Sequence, residues 1–238
     1  MIEIKNLCKN FGDVKAVENL SLAINKGEIF ALLGLNGAGK STTIKILCGL
    51  TEKTSGEVLI NGHKHENAHQ EIKSIINLSP QETAVANNLT TLENLEFIAN
   101  LYAIPNPADK AKEMITKLGL ETKTNTLAKK LSGGQKRKLS LAMALITNPR
   151  ILILDEPTLG LDIKSRKALW QIISELKNKA TIILTTHYLE EAESLADRIA
   201  IMASGKLMAI GTAEEIIQKS KTNNFEDAFL YFAGGENE

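Results

Sequence analysis

The sequence predicts an α/β fold with a mostly parallel sheet. Three observations carry that expectation. The second half alternates apolar runs at 151–154, 181–185 and 199–202 with helical stretches at about 164–178 and 188–197. Strands separated by helices pair in parallel through crossovers. Near the start, the wholly apolar run 29–33 leads directly into a glycine-rich turn and then a helical stretch, 42–47. Between these halves, residues from about 82 to 148 show helical spacing, read as a helical subdomain inserted in the α/β core. With 238 residues, 43% of them hydrophobic, the chain has ample core and is read as one domain over 1–238.

The elements follow in order. Residues 2–7 alternate apolar and polar, as a half-buried strand does. A turn is expected at Asn10-Phe11-Gly12-Asp13. Strands at 21–24 and 29–33 flank the turn Asn25-Lys26-Gly27-Glu28. Another at 56–60 closes on the hairpin signal Asn61-Gly62. Together these predict an N-terminal antiparallel β subdomain. The stretch 63–69 holds three of the four histidines but offers no fixed ligand geometry, so a solvated polar loop is expected. A short strand at 75–79 leads to Pro80-Gln81. Helix 91–102 carries apolar residues at 92, 95, 98 and 101; Ile104-Pro105-Asn106-Pro107 breaks it, and 108–118 resumes helical spacing. A last strand is expected at 206–211, then a helical tail over about 212–232 that opens with the capping-box pattern Thr212-Ala213-Glu214-Glu215.

Composition bounds the partners. Formal net charge is zero, so no overall field draws the chain to nucleic acid, and no nucleic-acid partner is expected. Cys8 and Cys48 lack metal or disulfide spacing and read as reduced core thiols. The first residues lack the charged and apolar regions of a signal peptide. No apolar stretch approaches the roughly 20 residues that span a bilayer. Work at a membrane would require a spanning partner.

Gly34-Leu35-Asn36-Gly37-Ala38-Gly39-Lys40-Ser41-Thr42 matches the phosphate-binding loop in its required strand–loop–helix setting, which specifies a P-loop NTPase core. Its glycines let backbone N–H groups turn towards an anion, and the helix N-terminus adds partial positive charge there. Lys40 has the reach for β- and γ-phosphates, and the Ser41 hydroxyl suits Mg²⁺. Asp155 and Glu156 end the apolar run 151–154 at the sheet edge where ligands bind. Asp155 suits the Mg²⁺ shell through water. Strand alternation turns Glu156 the other way, where it can polarise the water that attacks the γ-phosphate. Leu131-Ser132-Gly133-Gly134-Gln135 makes a helix start that can hold a phosphate. It is a different phosphate from one already enclosed by residues 34–42, which points to a site shared by two chains. An ordinary Ser N-cap accounts for the same residues equally well.

Leu131–Gln135, with the phosphate loop before it and the Asp155-Glu156 strand after it, resembles the signature of the ABC ATPases, and the resemblance covers essentially the whole chain. The resemblance implies further roles. Gln81 matches the glutamine that contacts the metal and senses the partner. Leu159-Gly160-Leu161-Asp162 resembles the segment at the dimer seam. His187 matches the switch histidine at the γ-phosphate. Phe11 sits where an aromatic stacks on adenine; tyrosine is more usual there, so the hydroxyl is missing. The family pattern implies a head-to-tail dimer of two cassettes around two Mg²⁺-ATP. It further implies an integral membrane partner and a place on the cytoplasmic face of the membrane. The stretch 88–95, the run Gln135-Lys136-Arg137-Lys138 and the tail 225–230 look most like exporter subunits for drugs, lipids, polysaccharides or ions. A soluble ABC ATPase of the iron–sulfur assembly kind, or a nucleotide-switched binding module, shares the same motifs.

Overall fold

The computed structural model describes residues 1–65 and 69–234. The chain opens with β1 (Ile2–Phe11), β2 (Val14–Ile24) and β3 (Ile29–Leu33). Then come α1 (Lys40–Leu47), β4 (Ser55–Ile60), β5 (His63–Lys64), α2 (His69–Ile75) and β6 (Ile76–Ser79). Three helices follow, α3 (Thr91–Leu101), α4 (Pro107–Lys117) and α5 (Gly133–Leu145). The next part alternates β7 (Ile151–Asp155), α6 (Ile163–Ser174), β8 (Thr181–Thr186), α7 (Leu189–Leu195), β9 (Arg198–Ala203) and β10 (Lys206–Gly211). It ends in α8 (Ala213–Ser220) and α9 (Phe225–Ala233).

Two sheets form. The larger has the order β10-β9-β3-β8-β7-β6, parallel throughout except for the β10–β9 pair. The smaller, β2-β1-β4-β5, is antiparallel. The apolar runs are continuous because β3, β7 and β8 are covered on both faces. Ala31, Leu152, Leu154 and Leu184 face a core shared with the helices. Their alternates Phe30, Leu32, Ile153 and Ile183 face a second core shared with β1, β2, β4 and α1. The small sheet thus caps one face of the large one.

The helical region packs into the first of these cores through residues such as Leu95, Met114 and Leu141, and one buried amide organises its start. Asn94 is 1% exposed. Its side chain accepts from the Ala86 N–H and donates to the carbonyls of Ala86, Leu89 and Thr90. That knits the loop after β6 onto α3. A capping box between Thr90 and Glu93 starts the same helix.

Several expectations need correction. β1 runs through Phe11, so the expected turn shrinks to Gly12-Asp13, and β2 begins at Val14 rather than at 21. Asn6 and Asn19 have positive φ, and the β1–β2 register shifts around them. Such bulges break the period of two that a strand reading relies on. α2 falls where no helix was expected. The histidine stretch is not simply solvated: the hairpin folds His63–Lys64 back on β4, and His65 is buried with Nε2 3.2 Å from the Leu47 carbonyl. Residues 66–68 of that stretch lie outside the described residues. On α3, Leu101 faces solvent beside exposed Phe97 and Tyr102. Both cysteines are half-buried rather than core, and burial pushes the Cys48 thiol up to about 12.

Asn94→Ala leaves the Ala86 N–H without its acceptor, a cost of about 1–3 kcal/mol. For a domain of this size Tm should fall by about 2–12 °C. Calorimetry showing an unchanged Tm would contradict the role given to this amide.

Candidate functional site

The strand order builds the site. β8 lies between β3 and β7, with Leu33 level with Thr186 and Asp155 level with Thr185. Three carboxyl ends therefore finish side by side. After β3 comes the glycine-rich loop, after β7 the acidic pair, and at the end of β8 Thr185, Thr186 and His187.

The loop needs its glycines. Gly39 has φ 96°, and a Cβ there would lie 2.5 Å from the Ala16 carbonyl oxygen. Gly37, at φ 85°, is in the same left-handed region. α1 then starts at Lys40 with no acidic residue in its first turn, so its leading N–H groups and dipole face the loop. Lys40 is 5% exposed. Its ammonium donates to the carbonyls of Gly34 at 2.6 Å and Leu35 at 3.1 Å, and lies 3.6 Å from Glu156 Oε1. Burial lowers the Lys40 pKa, while Glu156 and Asp155 hold it back up.

Asp155 meets the loop helix directly. Its Oδ1 accepts from Ser41 Oγ at 3.2 Å and from Thr185 Oγ1 at 2.5 Å. The Glu156 N–H donates to the same Thr185 oxygen at 3.0 Å. Glu156 does not follow strand alternation: β7 ends at Asp155, and Glu156 has φ 48°. A left-handed non-glycine residue costs about 1–3 kcal/mol and is held by its surroundings. The bend swings the carboxylate to the same edge as Asp155, between Lys40 and His187. His187 Nδ1 lies 2.8 Å from Glu156 Oε2. A carboxylate oxygen only accepts, so Nδ1 carries the proton of this bond.

Residues 36–42 of the loop, Glu156 and His187 border an open cleft of about 500 Å³, which Gly34, Leu35, Asp155 and Thr185 do not line. Gln81 lines it, and Phe11 lies at its edge with the ring 52% exposed. The Lys9 ammonium sits 4.6 Å from that ring's centroid. Ser132, Gly133, Gly134 and Gln135 are not among its lining. They start α5, where Ser132 and Gln135 form a capping box. The N-cap reading is thus realised, and Gly133 borders a smaller neighbouring cleft that shares Gln81 and Leu159 with the first.

The sequence reading missed three participants. Thr185 joins the two acids. Glu191, fully buried on α7, accepts from Thr158 Oγ1 at 2.8 Å and Trp170 Nε1 at 3.0 Å, and burial raises its pKa. Arg137 is buried against the backbone of both acids. One signal for Arg137 was available: it shares a helical face with Leu141 and Leu145, which are core residues.

A family model described as ABC transporter matches residues 17–159. The human phospholipid-transporting ATPase ABCA3 is 43% identical over 224 residues, 92% of this chain and 13% of that protein. The linearmycin resistance ATP-binding protein LnrL of Bacillus subtilis is 37% identical over 222 residues, 92% of this chain and 71% of that one. A solved ATP-binding subunit of an ABC transporter superposes with TM-score 0.86 at 29% identity, covering 98% of this chain and 99% of that one. A dimeric ATP-binding cassette in a post-hydrolysis state, bound to ADP and Pi, gives TM-score 0.80 at 29% identity over 89% of this chain and 98% of its own. The chain belongs to the ABC transporter family, as one of its ATP-binding cassettes.

Lys40→Ala removes the buried cation at the loop. Charge-assisted bonds contribute about 1.5–3 kcal/mol, so ATP affinity should drop by about 10- to 100-fold in titration calorimetry. Unchanged affinity would contradict the placement of phosphate over residues 34–40.

Proposed function

We propose that this chain is the ATP-hydrolysing subunit that powers transport, in the export direction, through a membrane-spanning partner. The observation that carries this reading is the convergence of Lys40, Glu156 and His187 at one edge of the cleft, which the segment 132–135 does not line. Adenine stacks on Phe11, and the triphosphate lies along residues 34–42. Glu156 is the general base: water attacks the γ-phosphorus, the bond to the β–γ bridging oxygen breaks, Glu156 takes the water's proton, and ADP leaves. His187 holds the Glu156 carboxylate through Nδ1 and presents its other ring nitrogen to the cleft.

The Ser41 hydroxyl and Asp155 carboxylate, 3.2 Å apart, are hard oxygen donors that fit Mg²⁺, with the Gln81 amide as a third group at the cleft. Bound there, Mg²⁺ supplies charge neutralisation at the phosphate oxygens. Asp155 is kept oriented for that role by Thr185.

The second half of the site comes from a second cassette. Residues 132–135 of one chain close over the nucleotide of the other, as a homodimer. ATP binding favours the closed pair, and cleavage removes that bias. The dimeric, ADP-bound relative supports this arrangement.

The membrane partner docks on the groove beside the Gln81 loop. Pro80, Ala84, Ile98, Tyr102 and Met143 line it, and Phe97 and Leu101 stand exposed nearby. An apolar patch continuous with the loop next to the cleft suits a cytoplasmic segment of the spanning partner. On this reading the chain works at the cytoplasmic face of the membrane. Among the described residues no helix is long and apolar enough to cross a membrane. Export is favoured by the names of the relatives, a phospholipid-transporting ATPase and a drug-resistance protein.

Glu156→Gln should keep ATP affinity within about twofold and lower Mg²⁺-ATP turnover by about 10²–10⁴-fold, the range for a lost general base. Turnover at the original rate would remove Glu156 from the mechanism. The same variant, tagged and extracted gently from native membranes with Mg²⁺-ATP, should bring down a membrane-spanning protein in stoichiometric yield. Recovery of a purely soluble complex would contradict the transport reading.

A further inference from the structure

Arg137 is 4% exposed, and its guanidinium donates to backbone carbonyls. Nε donates to Pro157 O at 2.7 Å. Nη1 donates to Pro80 O at 2.7 Å and Gln81 O at 2.8 Å. Nη2 donates to Asp155 O at 2.9 Å and also to Glu156 O. A guanidinium has five N–H groups in a fixed plane, and here it serves five carbonyls from two separate segments. One segment carries Gln81, at the cleft. The other carries the left-handed bend that aims Glu156.

The position of Arg137 on α5 gives this arrangement its consequence. Ser132 caps the helix, Gly133 begins it, and Arg137 lies in its second turn. On the functional reading above, the exposed start of α5 meets the nucleotide held by the other chain. The buried second turn grips the catalytic bend of its own chain. A helix is stiff over one turn, so a push at Ser132 moves the guanidinium plane.

We propose that Arg137 is a positioning residue that couples the two nucleotide sites, transmitting engagement of residues 132–135 with one ATP to Glu156 and Gln81 at the other. The coupling rests on the shared-site reading. A lysine is a point charge that cannot fork across both segments, so the planar shape is required as well as the charge.

The test compares wild type with Arg137→Lys and Arg137→Gln on the full chain, with three readouts: ATP affinity, thermal melting and the ATP dependence of turnover. Wild type should show positive cooperativity between its two sites, with a Hill coefficient above one. In Arg137→Lys, affinity should stay within about twofold and kcat should fall by about 10–100-fold, the scale of a misplaced catalytic group. Its Hill coefficient should approach one. If Arg137→Gln does not fold, Arg137→Lys alone decides, since it keeps the charge and most of the volume. Cooperative turnover at the wild-type rate in Arg137→Lys would overturn the coupling while leaving the functional reading intact. A fall in kcat that merely tracks a lost folded fraction on melting, with cooperativity retained, would overturn it equally. Failure of wild type to bind or hydrolyse Mg²⁺-ATP would instead overturn the functional reading on which the coupling rests.

Discussion

Because β8 lies between β3 and β7, one strand end supports both halves of the proposed phosphate site. Its Thr185 hydroxyl donates to Asp155 and accepts from the Glu156 N–H. Two residues on, His187 reaches the Glu156 carboxylate. Thr186, level with Leu33, ties the loop in as well, through the bond from the Gly34 N–H to its carbonyl. A different strand order would separate the loop from the acids by a strand width or more. The parallel core, dry on both faces, holds these ends at a fixed height.

The site also concentrates buried charge. Lys40, Arg137, Asp155, Glu156 and Glu191 are all buried. Ion pairs taken out of water contribute little to net stability and often cost some. Burial works against the charged forms of Lys40, Arg137 and Glu191. The arrangement holds because each charge meets opposite charges or hydrogen-bond partners. Its use is preorganisation: donors and dipoles are in place before charge develops on a reacting phosphate. The left-handed bend at Glu156 belongs to the same account, a local cost retained where it aims a carboxylate.

How much of this was legible in the sequence depended on whether the signal was local. The continuous apolar runs at 29–33 and 151–154 read correctly as buried strands, because burial on both faces leaves no polar alternation. That residues 34–42 and the acids at 155 and 156 belong together was legible too, since each is a contiguous feature, and the structure brings them side by side. The side on which Glu156 lies was not, because alternation stops applying once the strand ends. The long β1–β2 ribbon was hidden by bulges at Asn6 and Asn19. Thr185, Arg137 and Glu191 were invisible as participants. Their roles come from partners 18 to 57 residues away, brought near only by sheet order and helix docking.

Residues 132–135 do not line the cleft of their own chain, so the account stands on closure by a second copy. The most direct test is an experimental structure of Glu156→Gln with Mg²⁺-ATP. The account predicts two chains head to tail, each nucleotide between residues 34–42 of one chain and residues 132–135 of the other. ATP bound to a lone chain, with residues 132–135 turned to solvent, would contradict it.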